Sequence, residues 1–106
     1  MDMQTVTHHG IMFDGEVLEK FCLKNGIKKL SLYGSVLRDD FDLHSDIDIL
    51  VDFMPEVCIT LFHIIDMEEE LSEIFGGRKI DLRTPQDLSR YFRDRVVAES
   101  EVLFAR

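Results

Sequence analysis

The pattern with the clearest chemical meaning is Gly34-Ser35, separated by ten residues from Asp46-Ile47-Asp48. Gly34 can adopt backbone angles that other residues avoid, and with Ser35 it can direct backbone N–H groups and a hydroxyl toward an anion. The two aspartates provide carboxylate oxygens, which are the ligands that Mg²⁺ prefers. Together the two parts predict a site for a triphosphate and its metal ion.

The two aspartates are predicted to lie on one face of a strand. Segment 46–53 alternates between an apolar set (Ile47, Ile49, Val51 and Phe53) and a second set (Asp46, Asp48 and Leu50). Because successive side chains of a strand point to opposite faces, the two carboxylates point the same way, roughly 7 Å apart along the strand. Like charges at this distance repel each other unless a cation lies between them, which favours a bound metal ion.

A third carboxylate is predicted on the same face of the sheet. Segment 79–83 alternates in the same way, with Ile80 and Leu82 on one side and Lys79, Asp81 and Arg83 on the other. With Asp46 and Asp48, Asp81 would complete a two-metal site in which one ion activates a hydroxyl and the other holds a triphosphate. The competing interpretation is that Asp81 is an exposed strand residue paired with Lys79 or Arg83.

The other parts of the pattern also have ordinary structural interpretations. Gly34-Ser35 could be a turn that ends a strand, and the two aspartates could be the solvated face of an edge strand. Arg38 is placed to make a bidentate contact with a phosphate oxygen, or else to form an ion pair with the acidic residues of segment 39–42. The combination of all parts at this spacing favours a functional site.

These residues resemble the signature of the DNA polymerase beta type nucleotidyltransferase superfamily. The shared pattern is Gly-Ser, ten residues, then Asp-x-Asp, with Ser45 before the first Asp and Arg38 four residues after the Gly. From about Phe13 to the end, the chain is similar to the minimal nucleotidyltransferase (MNT) domains that are antitoxins to HEPN ribonuclease toxins. Two departures are Asp39-Asp40, where many relatives have Gly after the Arg, and Phe104, where many have Tyr.

The resemblance implies a fold, a site and a reaction. The fold is α+β, a minimal palm-like version of the polymerase beta nucleotidyltransferase fold with a small mixed sheet packed against helices. Asp46, Asp48 and Asp81 are the implied catalytic residues and ligands of two Mg²⁺ ions, and Gly34, Ser35 and Arg38 are the implied nucleotide-binding residues. The reaction is transfer of AMP from ATP to a tyrosine hydroxyl of a HEPN toxin, which silences the toxin.

Two other functions stay open at this point. One is a small-molecule nucleotidyltransferase, although its usual relatives carry an additional domain that holds the substrate. The other is an antitoxin that only binds and masks its toxin, although clustered carboxylates without a metal ion would cost stability. Because so short a chain has no room for a second domain, we expect a partner protein to supply much of the acceptor pocket.

Length and composition favour a single nucleotidyltransferase domain over residues 13–106, preceded by a flexible arm over residues 1–12. The net charge of -9 argues against direct binding of nucleic acid and would suit a basic protein partner. The sequence shows no secretory signal and no apolar run long enough to span a membrane. Cys22 and Cys58 are predicted to be buried thiols in helices, which favours the reducing cytoplasm.

The site residues depend on a small number of predicted elements. Hydrophobic periodicity and turn residues predict helices over 14–25, 57–75 and 84–100, strands over 28–33, 46–53 and 79–83, and a terminal apolar segment over 102–104 packed on the domain. In the second helix, the predicted core stripe is Leu61, Ile64, Met67, Leu71 and Ile74, and the predicted solvated residues are Glu68, Glu69, Glu70 and Glu73.

Overall fold

The computed structural model describes residues 5–8, 11–34 and 46–106. The elements in chain order are β1 (Thr5–His8), β2 (Ile11–Asp14), α1 (Gly15–Lys24), β3 (Ile27–Tyr33), β4 (Ile47–Phe53), α2 (Leu61–Ile74), β5 (Ile80–Arg83), a 3-10 helix (Pro85–Asp87), α3 (Arg93–Glu99) and β6 (Glu101–Ala105). Across these ranges, none of the helices has the length and apolar character needed to cross a bilayer.

The main sheet has the strand order β5-β4-β3-β6. β3 is antiparallel to both β4 and β6, whereas β4 is parallel to β5. The connection between the two parallel strands contains α2, as parallel pairing requires a long crossover. This mixed sheet with packed helices confirms the predicted α+β fold class.

One face of β4 forms the centre of the hydrophobic core. Ile47, Ile49 and Val51 are fully buried there, against Leu18 and Phe21 of α1, among others. Burying a side chain of this size contributes roughly 1.5–3 kcal/mol, so the apolar face fixes which way the strand is turned. The alternation predicted for segment 46–53 is confirmed, and the aspartates are left on the opposite face.

Helix α2 begins later than predicted, at Leu61, because Thr60 caps it. The Thr60 hydroxyl accepts a hydrogen bond from the His63 backbone N–H (3.4 Å), and His63 Nδ1 accepts one from the Thr60 N–H (3.1 Å). The predicted core stripe is confirmed at Met67 and Leu71, which are buried. It is wrong at Leu61, which lies in the first turn beyond the edge of the core and is 74% exposed.

The two cysteines differ. Cys22 is buried in α1 as predicted, and burial raises its pKa to about 12, so the thiol is protonated at neutral pH. Cys58 is exposed and lies before α2, so the prediction of a buried thiol in a helix is wrong there.

The predicted helix over 84–100 is divided into two parts. The Asp87 N–H donates to the Thr84 carbonyl (3.0 Å), which closes a single 3-10 turn, and Asp87 Oδ2 accepts a hydrogen bond from the Thr84 N–H (3.1 Å). Leu88 then adopts an extended conformation. Helix α3 begins at Arg93, whose Nε donates to the Pro85 carbonyl (2.7 Å) and holds the two parts together. The terminal apolar segment forms β6 and pairs with β3, with Leu30 opposite Phe104.

Part of segment 1–12, where a flexible arm is expected, lies in a pair of short strands. β1 and β2 form an antiparallel pair in which Thr5 lies opposite Asp14 and His8 lies opposite Ile11. Ile11 and Phe13 are 3% and 5% exposed, and the Phe13 ring contacts the Phe75 ring at the end of α2, with centroids 5.1 Å apart. Residues 1–4 and 9–10 lie outside the described ranges.

Phe13→Ala is therefore expected to lower the free energy of unfolding by about 3–5 kcal/mol, because it opens a cavity against Phe75. Met12→Ala is the matched control, since Met12 is the neighbouring residue of the same strand and is 63% exposed. Its effect should stay within about 0.5 kcal/mol. Urea unfolding followed by circular dichroism measures both variants, and equal small effects would show that β2 is detached from the core in solution.

Candidate active site

Three polar side chains lie side by side across the sheet. Tyr33 at the end of β3 is the register partner of Asp48 in β4, and Asp48 is the register partner of Asp81 in β5. Register partners in adjacent strands point to the same face, and neighbouring strands are roughly 4.8 Å apart. The fold thus places Asp81 on the same face as Asp48, with Tyr33 on the other side.

Gly34 follows this row directly and lies against it. Its φ is +74°, and a Cβ built at this position would be 2.6 Å from Oδ2 of Asp48. A side chain here would face both an unfavourable backbone conformation and a collision with a carboxylate. The turn at Gly34 and the carboxylate of Asp48 are therefore packed against each other. Ser35 and Arg38 lie outside the described residues, and their roles stay predictions.

Two cations lie beside the carboxylates. Lys79 Nζ is 3.9 Å from Asp46 Oδ2, and Arg83 Nε is 3.3 Å from Asp81 Oδ2. The hydrogen bond and charge of Asp81 raise the pKa of Arg83, which stays cationic. The competing interpretation of Asp81 as an ion-pair partner thus corresponds to a real contact. Over the described ranges, no group of three acidic, histidine or cysteine side chains is arranged to hold one metal ion.

These ion pairs are too weak to prevent a divalent cation from binding. The Arg83 and Asp81 side chains are 48% and 37% exposed, and the Lys79 and Asp46 side chains are 80% and 48% exposed. Exposed pairs of this kind contribute about 0–1 kcal/mol each. Carboxylate oxygens are hard donors of the type that Mg²⁺ takes. In donor chemistry the three aspartates fit Mg²⁺, and the strand register sets Asp48 beside Asp81.

Tyr33 is a residue that the sequence analysis did not identify. Burial, followed by the charges of Asp48 and Asp81, raises the pKa of its phenol to about 12. The hydroxyl therefore keeps its proton at neutral pH and can donate a hydrogen bond in the row. Strand alternation could have placed Tyr33 on the polar face of β3 with Ser31, but its position beside Asp48 depends on the register of two strands.

Glu68 is a second residue with an unexpected position. Its Oε2 accepts a hydrogen bond from the Leu82 backbone N–H (2.8 Å), so it is tied to β5 instead of facing water as predicted. β5 is the edge strand of the main sheet. Glu68 therefore occupies an edge N–H directly beside Asp81 and holds α2 against this end of the site.

Comparisons with known proteins agree with the fold. The family profile described as polymerase beta, nucleotidyltransferase, matches residues 16–106. A relative from Thermococcus cleftensis named protein adenylyltransferase MntA is 33% identical over 84 residues, which are 79% of this chain and 78% of that protein.

Two solved structures share the fold. A chain of a toxin–antitoxin crystal structure with AMP-PNP superimposes with a TM-score of 0.67 at 19% identity, covering 88% of this chain and 74% of that one. A chain from the tri-AMPylated Shewanella oneidensis HEPN toxin in complex with MNT antitoxin gives a TM-score of 0.60 at 19% identity, covering 87% and 70%. The family profile covers most of the chain, including Asp46, Asp48 and Asp81, and the chain belongs to the polymerase beta nucleotidyltransferase family.

Proposed function

We propose that this chain is an antitoxin that transfers AMP from ATP to a tyrosine hydroxyl of a HEPN ribonuclease toxin and so silences it. The observation that carries the proposal is the register of β4 and β5, which sets Asp48 beside Asp81 next to the Gly34 turn. Family membership supports nucleotidyl transfer, and the name of the MntA relative supports AMP as the transferred group.

Different aspartates would serve the nucleotide and the acceptor. Asp46 and Asp48 would hold the metal ion that accompanies the triphosphate, and Asp81 would hold an ion on the acceptor side. When bound, Mg²⁺ lowers the pKa of an attacking hydroxyl and neutralises charge on the triphosphate. The absence of a side chain at Gly34 lets the predicted phosphate-binding turn lie close to Asp48, and Ser35 and Arg38 are further predicted contacts to the nucleotide.

The acceptor oxygen attacks the α-phosphorus of ATP and forms a new P–O bond. The bond between the α-phosphorus and the bridging oxygen breaks, and pyrophosphate leaves with the electron pair. Asp81 lies on the edge strand with its side chain 37% exposed, so it is open to an acceptor that approaches from outside the sheet. It is the group placed to accept the hydroxyl proton.

A protein acceptor suits this geometry better than a small molecule. The polar row lies on one face of a narrow sheet, and its acceptor end is at the sheet edge. A protein that docks beside this edge can reach Asp81 from outside the sheet and supply further parts of the acceptor pocket. Masking without catalysis predicts the same binding but no covalent product, so mass measurement separates it from the proposed reaction.

The test is to mix the chain with its cognate HEPN protein in ATP and Mg²⁺. We expect the intact mass of the HEPN protein to increase by one or more AMP groups, and its ribonuclease activity to fall in parallel. EDTA and the α,β-methylene analogue of ATP are the controls, since the first removes the metal ion and the second has no cleavable α–β bridge. Tight binding without any mass increase, for every nucleoside triphosphate, would leave only the masking function.

A further inference from the structure

The first two turns of α2 expose large apolar side chains close to the candidate active site. Leu61, Phe62 and Ile65 are 74%, 79% and 46% exposed, and we refer to these three residues as the α2 patch. Farther along the same helix, Met67 and Leu71 are buried against the sheet. The helix thus extends its apolar surface beyond the core of the chain, and this extension remains in contact with water.

The α2 patch adjoins a cleft that leads to Asp81. Leu61 and Ile65 line one side of this cleft, which has a volume of ≈ 580 Å³, and Asp81 and Arg83 of β5 line the other. Phe53 at the end of β4 contributes further apolar surface. A side chain entering the cleft between helix and strand would therefore meet apolar surface first and the carboxylate of Asp81 next.

Some backbone N–H groups along the edge of β5 are already hydrogen-bonded, so a strand from another protein cannot pair with this edge over its whole length. The Leu82 N–H donates to Glu68, and the Thr84 N–H donates to Asp87. A partner that docks here must therefore use side chains instead of strand addition. That requirement favours an apolar surface element such as a helix or a loop.

The charges on α2 indicate which residues of the partner would flank the apolar element that docks on the α2 patch. Phe62 shares one side of the helix with Asp66, Glu69 and Glu73, at spacings of four, three and four residues. These acids line a second, shallow groove together with Glu70, whose carboxylate is paired with Lys24 (2.7 Å). The chain as a whole carries a net charge of -9. The complementary partner has an apolar centre flanked by lysine or arginine on the side toward the end of α2.

We propose that the α2 patch and its cleft dock the segment of the toxin that carries the acceptor hydroxyl, with basic residues of the toxin against the acidic side of α2. This proposal rests on the proposed function for the identity of the partner. It makes the α2 patch the determinant of toxin affinity, and it places the acceptor at the Asp81 end of the polar row.

The test compares two variants for binding to the HEPN protein without nucleotide. Leu61→Ser with Phe62→Ser should raise the Kd by at least about 30-fold, because truncation of central apolar residues has effects of this size. Leu23→Ser is the matched control, since Leu23 is a helical residue that is 50% exposed on α1. Its Kd should equal that of the wild type. Calorimetry measures the affinities, and thermal melts of all three proteins confirm that they are folded.

A second double variant measures how much the acidic residues of α2 contribute to toxin binding. Glu69→Lys with Glu73→Lys should weaken binding to the toxin by about tenfold at low salt and less at high salt, because exposed charges are screened. In all variants the affinity for ATP with Mg²⁺ should remain at the wild-type value. For the Leu61 and Phe62 variant, AMP transfer should therefore show a raised KM for the toxin.

The outcomes separate this proposal from the proposed function. If the Leu61 and Phe62 variant binds the toxin like the wild type, the docking proposal is wrong even where AMP transfer occurs. If the wild type binds without transferring AMP, the proposed reaction is wrong, and the comparison of Kd values still decides where the toxin docks. Equal weakening by Leu23→Ser, or sedimentation of the wild type as a dimer that the double variant loses, would also overturn the docking proposal.

Discussion

Asp46→Asn combined with Asp48→Asn is expected to lower AMP transfer by at least about 10³-fold. Asparagine keeps the shape of the side chain but loses the negative charge that a Mg²⁺ ligand supplies. Metal-ion catalysis contributes several kcal/mol to the transition state, and each 1.4 kcal/mol corresponds to about tenfold in rate. Single-turnover transfer to the toxin, at saturating concentrations of both proteins and ATP, measures the loss directly.

The same double variant should remain folded. Among the described residues, Asp46 is paired with the exposed Lys79 at 3.9 Å, and loss of such an ion pair should change the free energy of unfolding in EDTA by less than about 1 kcal/mol. Asparagine at position 48 keeps an oxygen that can accept a hydrogen bond. A decrease of more than about 3 kcal/mol would show that Asp48 is chiefly a structural hydrogen-bond acceptor, and its role as a metal ligand would be wrong.

Asp52→Asn is the matched control for chemistry. Asp52 lies in the same strand as Asp48, four positions farther along, which is roughly 13 Å. Both side chains are on the same face by strand alternation. Asp52→Asn should keep the wild-type transfer rate. A similar loss from Asp52→Asn would mean that the charge of the whole strand face, instead of two specific ligands, supports the reaction.

The polar face of the site could be predicted because a strand has a period of two. Because Ile47 and Ile49 are buried on one face of β4, the side chain of Asp48 between them points to the opposite face. In β5, burial of Ile80 and Leu82 determines the face of Asp81 in the same way. This inference needs only the alternation of apolar and polar residues in each strand. It does not need knowledge of which strands are neighbours.

The distance between the carboxylates could not be predicted in the same way. It depends on the register of β4 against β5, and a shift of one residue would bring Asp81 opposite an apolar side chain. Tyr33 was missed for the same reason, since only the register of β3 against β4 sets it beside Asp48.

Two further differences arise from contacts between distant parts of the chain. Helical periodicity included Leu61 in the core, but periodicity does not show where the underlying sheet ends. The strand pair near the N-terminus is short, with four residues in each strand, and its stability depends on the contact of Phe13 with Phe75. Local sequence patterns carry no information about such a contact.

Gly34→Ala is expected to lower AMP transfer by about 10²-fold or more. The left-handed conformation at φ +74° is unfavourable for alanine by roughly 1–2 kcal/mol. The added Cβ would also lie 2.6 Å from Oδ2 of Asp48, so either the turn or the carboxylate must move. A displacement of about 1 Å in a reacting group can reduce a rate by 10²-fold. Single-turnover transfer and ATP affinity, measured together, test this expectation.

Gly76→Ala is the control that separates the effect of the collision with Asp48 from the energetic cost of the left-handed backbone conformation. Gly76 has a φ of +78°, close to that of Gly34, but a Cβ there would meet nothing within 4 Å. Gly76→Ala should therefore lower the free energy of unfolding by roughly 1–2 kcal/mol and keep the wild-type transfer rate, whereas Gly34→Ala should lower the free energy of unfolding by at least as much. If the two variants transfer AMP equally well, contact between the turn and Asp48 has no part in the reaction, and the triphosphate must bind elsewhere on the sheet.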